Sequence, residues 1–60
     1  MTFKEVERRL LDDGWQFKNA KGSHRFYKHP TKKGKVTVPY HGGDLDIRTV
    51  KSIFKQAGLL

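Results

Sequence analysis

The chain contains no cysteine, which excludes both a disulfide framework and a cysteine-based zinc site. No apolar run approaches the length of a membrane span. The opening Met1-Thr2-Phe3-Lys4 leads straight into helix signals rather than a signal peptide. The expectation is one cytoplasmic domain over residues 1–60, with no membrane partner. A chain of this length buries only about 60% of the surface its unfolded form exposes, so its stability should be marginal. A bound partner can add to it by mass action.

Acid is also scarce, and its placement says more than its amount. The six acids, Glu5, Glu7, Asp12, Asp13, Asp44 and Asp46, all lie outside the segment from Gly14 to Gly43. That segment carries Lys18, Lys21, Arg25, Lys28, Lys32, Lys33 and Lys35, and the formal net charge is +7. A basic zone interleaved with aromatics is the electrostatic footprint of a polyanion binder. A lysine-rich surface can also serve solubility alone. The complete exclusion of acid from that segment favours the polyanion.

Thr2 and Glu5 have the spacing of a capping box. Phe3, Val6 and Leu10 then recur at helical intervals, with Leu11 widening the stripe and Gly14 as a stop. Trp15-Gln16-Phe17-Lys18-Asn19 alternates like a half-buried strand, and Ala20-Lys21-Gly22 reads as a turn. Ser23 to His29 predicts a second strand in which His24 shares a face with Phe26, and Arg25 with Tyr27. After the breakers from Pro30 to Gly34, Lys35 to Val38 predicts a third strand ended by Pro39. Asp44 or Asp46 can cap a second helix whose apolar side is Ile47, Val50, Ile53, Phe54 and Ala57, with Gly58 as its C-terminal stop. The expected fold is α+β, a two-layer α-β-β-β-α arrangement with a three-stranded antiparallel sheet packed against two helices.

These residues carry a resemblance. Gly14-Trp15, Gly22-Ser23-His24 with Phe26 and Tyr27, Val38-Pro39-Tyr40-His41, and Ile53-Phe54-Lys55-Gln56-Ala57-Gly58-Leu59 together resemble the HicA toxins, in order and over nearly the whole chain. The resemblance implies a double-stranded-RNA-binding-domain-like fold and an mRNA interferase of a type II toxin–antitoxin system. It also implies His24 as the catalytic histidine and a HicB-type antitoxin as partner. Two features depart from the pattern. Arg48-Thr49-Val50 stands where many relatives have Gly-Thr-Leu, and Asp44 and Asp46 stand where duplex-binding domains present lysines. Acids at that helix start repel a phosphate, so single-stranded message is the expected substrate.

On that reading His24 acts as general acid and base, since imidazole exchanges protons near neutral pH. Lys21, Arg25, Lys28, Lys32 and Lys33 are the expected phosphate contacts, and Tyr27 is the expected base-stacking residue because it shares a face with Arg25. Trp15 reads as core. Ser23 reads as a turn residue, since the central segment offers no carboxylate to complete a relay. His24, His29 and His41 lack HExxH spacing, cysteine and a neighbouring acid, so neither metal nor cofactor is expected. The alternative is a non-catalytic RNA-binding module in which His24 merely packs or touches a base. A basic face that docks on an acidic protein is a third reading.

Overall fold

The computed structural model describes residues 1–60. Its elements run α1 (Phe3–Asp12), β1 (Gln16–Lys21), β2 (His24–Lys28), β3 (Val36–Pro39) and α2 (Ile47–Gln56). The strands form one antiparallel sheet in the order β1-β2-β3, as the α+β reading expects.

Each helix starts where its capping residue dictates. Thr2 Oγ1 accepts from Glu5 N at 3.3 Å, and Glu5 Oε1 accepts from Thr2 N at 2.8 Å, closing the capping box. The Thr2 backbone N–H, followed by its hydroxyl, holds the Glu5 carboxyl below the usual range. On α2 it is Asp46, not Asp44, that caps, accepting from Arg48 N at 2.7 Å. The apolar stripes are narrower than the sequence suggests. Leu11 is exposed because it lies about 100° round the helix from Leu10, beyond the core-facing side. Ile47 is also exposed. The buried place near that end belongs to Leu45, held in the preceding loop by its N–H bond to Met1 O at 2.8 Å.

The sheet has two unlike faces. Residues paired across an antiparallel ladder share a face, so Tyr27 lies with Phe17 and Val36, and Arg25 with Ala20 and Val38. This face meets the helices, which pack chiefly over β3. Twelve buried side chains, all apolar or aromatic, fill the space between. Because the helices leave β1 overhanging, every residue of β1 is exposed and Phe17 remains 47% accessible. The half-buried strand read from Trp15 to Asn19 is therefore corrected: Trp15 is core but precedes the strand, and Phe17 is not core.

The reverse face has no helix on it. Phe26 lies there with Asn19 and Thr37, and His24 with Lys21 and Pro39. A bulge between Phe17 and Asn19 makes this possible. Side chains alternate with period two, so without the extra residue Lys21 would point to the helix side. The bulge puts Lys21 beside His24.

The β1–β2 connection is the two-residue loop Gly22-Ser23, not Ala20-Lys21-Gly22, and the strand runs on to Lys21. Gly22 has φ 60° while Ser23 has no positive φ, the pattern of a type II′ turn with glycine at its first central position. Tyr40 N donates to Ser23 O at 2.6 Å, so the turn is tied to β3 as well. His24 follows directly, at the first position of a strand anchored on both sides.

Candidate functional site

His24 is exposed and projects from the open face. Its ring takes part in none of the side-chain hydrogen bonds that hold the fold, so both ring nitrogens are free for a ligand. Its cross-strand neighbours are Lys21 and Pro39. Along β2, Phe26 and Lys28 follow at two-residue intervals on the same side. Lys18, Asn19, Lys21, Phe26, Lys28 and Lys35 enclose a shallow hollow of about 500 Å³. That volume falls within the usual range for ligand sites. No carboxylate lines it.

The expected contact residues divide between this face and elsewhere. Lys21 and Lys28 line the hollow. Lys33 is exposed in the turn between β2 and β3. Arg25 lies on the opposite face, where its guanidinium stacks over Tyr40 at 4.5 Å, Phe3 at 5.3 Å and Phe17 at 5.5 Å. It does not stand beside His24.

Tyr27 must be reassigned. It is 0% exposed, inside the core, and its hydroxyl donates to Glu7 Oε2. Burial, then the neighbouring Glu7 carboxylate, pushes its phenol well above the usual range. A ring enclosed in this way cannot stack on a base. Sharing a face with Arg25 is the right register, but that face is the covered one.

Lys32 is also structural. Its Nζ pairs with Asp13 Oδ2 and donates to Ala57 O at 3.0 Å. Asp13 is the C-cap of α1 and Ala57 that of α2, so one ammonium joins the two helix ends, where the dipoles favour positive charge. The Lys32 hydrogen bond is the main cause holding the Asp13 carboxyl below its usual range. His29 completes the junction. Its Nε2 donates to Asp13 O at 2.7 Å, while Nδ1 accepts from the N–H groups of Thr31 and Lys32 at 3.1 Å each. His41 Nδ1 accepts from Gly43 N at 3.3 Å in the loop before α2. The three histidines thus sit in separate settings, and no group of three His, Cys, Asp or Glu side chains is arranged to hold a metal ion.

Lys18, Asn19, Phe26 and Lys35 line the hollow although the sequence reading did not assign them to the site. Lys35 Nζ lies 4.9 Å from the Phe26 ring centroid. The signal for Phe26 was its period-two relation to His24. Lys35 could be found only from the β2–β3 register, which pairs Tyr27 with Val36 and so brings Lys35 next to Lys28.

A basic α+β module with an exposed histidine on an uncovered sheet face is the class that these features define. The family model for "HicA toxin of bacterial toxin-antitoxin" matches residues 3–59. The solved "Toxin-Antitoxin complex from Streptococcus pneumoniae" contains a chain similar to this one, with 35% identity, 98% of each chain covered and a TM-score of 0.83. No curated protein matches it. The chain belongs to the HicA family of toxins of bacterial toxin–antitoxin systems.

Proposed function

We propose that this HicA-family chain is a metal-independent endoribonuclease that cleaves single-stranded mRNA, with His24 as its general acid and base. The reading rests on one observation above all: His24 is exposed on the open sheet face, beside a lysine-lined hollow that holds no carboxylate.

RNA brings its own nucleophile. A neutral His24 removes the proton from a 2′-hydroxyl as the 2′-oxygen attacks the adjacent phosphorus. The bond from phosphorus to the 5′-oxygen breaks, leaving a 2′,3′-cyclic phosphate, and the protonated imidazole returns its proton to the departing oxygen. General acid–base assistance of this kind contributes about 10²–10⁴-fold. Lys21, paired with His24 across the ladder, is the cation that would offset the added charge at phosphorus. The absence of acid on this face keeps phosphate from being repelled.

A HicB-type antitoxin is the expected partner. Family membership and the likeness to a chain of a toxin–antitoxin complex support it. An antitoxin seated on the open face would cover His24 and the lysines together.

One observation favours a second reading, an RNA-binding module without catalysis: no protein side chain hydrogen-bonds the His24 ring to orient it, as catalytic histidines are often oriented. A His24→Ala variant separates the two. Loss of cutting with RNA binding retained supports the nuclease. No cutting by either protein leaves the binding module, and unchanged cutting by the variant removes the role given to His24.

A further inference from the structure

The ring on the His24 face is Phe26, not Tyr27, and the charge around it is wholly positive. Phe26 is half-buried, so its edge is rooted in the sheet while the ring forms part of the floor of the hollow. Lys18, Lys21, Lys28 and Lys35 stand around it, with Asn19 as the neutral polar group. Tyr40 is 51% exposed, but its ring meets Phe3 edge-on at 4.8 Å and carries Arg25. Phe26 is therefore the aromatic available beside His24.

We propose that this hollow is a nucleotide subsite: it takes one unpaired nucleotide of single-stranded RNA, with the base stacked on Phe26 and the flanking phosphates held by lysines. The proposal rests on the reading of RNA as the ligand, and adds where a base is gripped. Four ammonium groups supply charge complementarity to a phosphate backbone, and an aromatic floor supplies a surface that any base can use. Lys35 already shows that the ring accepts a partner, since its ammonium lies against it. An entering base takes that place, and the flexible ammonium swings to a phosphate. Phe26 lies two residues along β2 from His24, about 6.7 Å. The stacked base thus belongs to a nucleotide close to the phosphodiester that His24 would cleave. Asn19, paired with Phe26, is the one side chain of the hollow that both donates and accepts hydrogen bonds to a base edge.

The test separates gripping from cutting. Short labelled RNA with every 2′-hydroxyl methylated cannot be cleaved, and its binding is followed by fluorescence anisotropy beside an abasic strand of the same backbone. The wild-type protein is expected to prefer the base-bearing strand by about 5- to 150-fold. Phe26→Leu, which keeps an apolar side chain at the site, is expected to lose that preference, while Lys28→Gln weakens both strands alike. Equal wild-type affinity for the two strands overturns the subsite, whatever the variants do. So does a folded Phe26→Leu protein that keeps the preference. Binding of neither strand removes the RNA reading of the face together with the subsite, and makes an acidic protein surface its occupant. Base preference that depends on Phe26, alongside unimpaired cutting by His24→Ala, keeps the subsite and removes only the role given to His24.

Discussion

The two sides of β2 show how one strand divides its labour by parity. Tyr27 faces the helices, is wholly buried and hydrogen-bonds Glu7. His24, Phe26 and Lys28 face away, on a side that no helix covers. Neighbouring residues of near-identical local composition therefore serve opposite ends. The covered side holds the fold together, and the open side is free to carry chemistry. The lesson is that an aromatic next to a basic residue says nothing about nucleic acid until its face is known.

The contrast is sharpest in mutation. Tyr27→Ala is expected to lower stability by about 3–5 kcal/mol, the usual cost of emptying a buried aromatic site, measured by urea denaturation. Phe26→Ala on the other side of the same strand should cost well under half as much. Equal losses would break the division between faces.

The next effect concerns the base of the covered side. Gly14 has φ 100°, and a Cβ there would come within 2.8 Å of His29 Nε2. Gly14→Ala combines a left-handed backbone with that clash, so a loss of about 1–3 kcal/mol is expected. His29→Ala in the same background should relieve only the steric part, which a double-mutant cycle will read.

Lysines provide a finer comparison. Lys28→Gln on the open face should leave the melting temperature unchanged while lowering the slope of log affinity against log salt for single-stranded RNA by about 0.7. Lys32→Met, at the junction of the two helix ends, should do the reverse: a lower melting temperature with little change in the salt slope. If the two variants behaved alike, the assignment of one lysine to structure and the other to ligand would fail.

The smallest effect is at acid pH. The Lys32 hydrogen bond holds the folded-state Asp13 carboxyl below its unfolded value, so its contribution is complete above about pH 4 and is lost as pH falls through the depressed folded value. Lys32→Met should flatten that part of the stability profile. An unaltered acid limb would show the pair to be without thermodynamic weight.

Much of this division could be read in the residues before any coordinates. The capping box of Thr2 and Glu5, the stripe of Phe3, Val6 and Leu10, and the meander of three strands follow from local spacing. The pairing of His24 with Phe26 on one face follows from period two. What local spacing does not contain is which face the helices choose and how far they reach. Phe17 and Ile47 are apolar and correctly phased or nearly so, yet they stay exposed because no element lies over them. The reach of Lys32 to Ala57, twenty-five positions away, is a tertiary contact without a local signature. The bulge at Lys18 is likewise set by pairing, and it decides that Lys21 and not Ala20 neighbours His24.

The most direct measurement takes single-stranded RNA with an excess of chelator present, together with a matched strand in which all 2′-hydroxyls are replaced by hydrogen, and analyses the fragments by mass spectrometry. Proton transfer by His24 to and from the RNA's own hydroxyl predicts fragments ending in a 2′,3′-cyclic phosphate or its hydrolysis product, and an intact deoxy strand. Equal cleavage of the two strands, or cleavage that stops when the chelator is added, would contradict it.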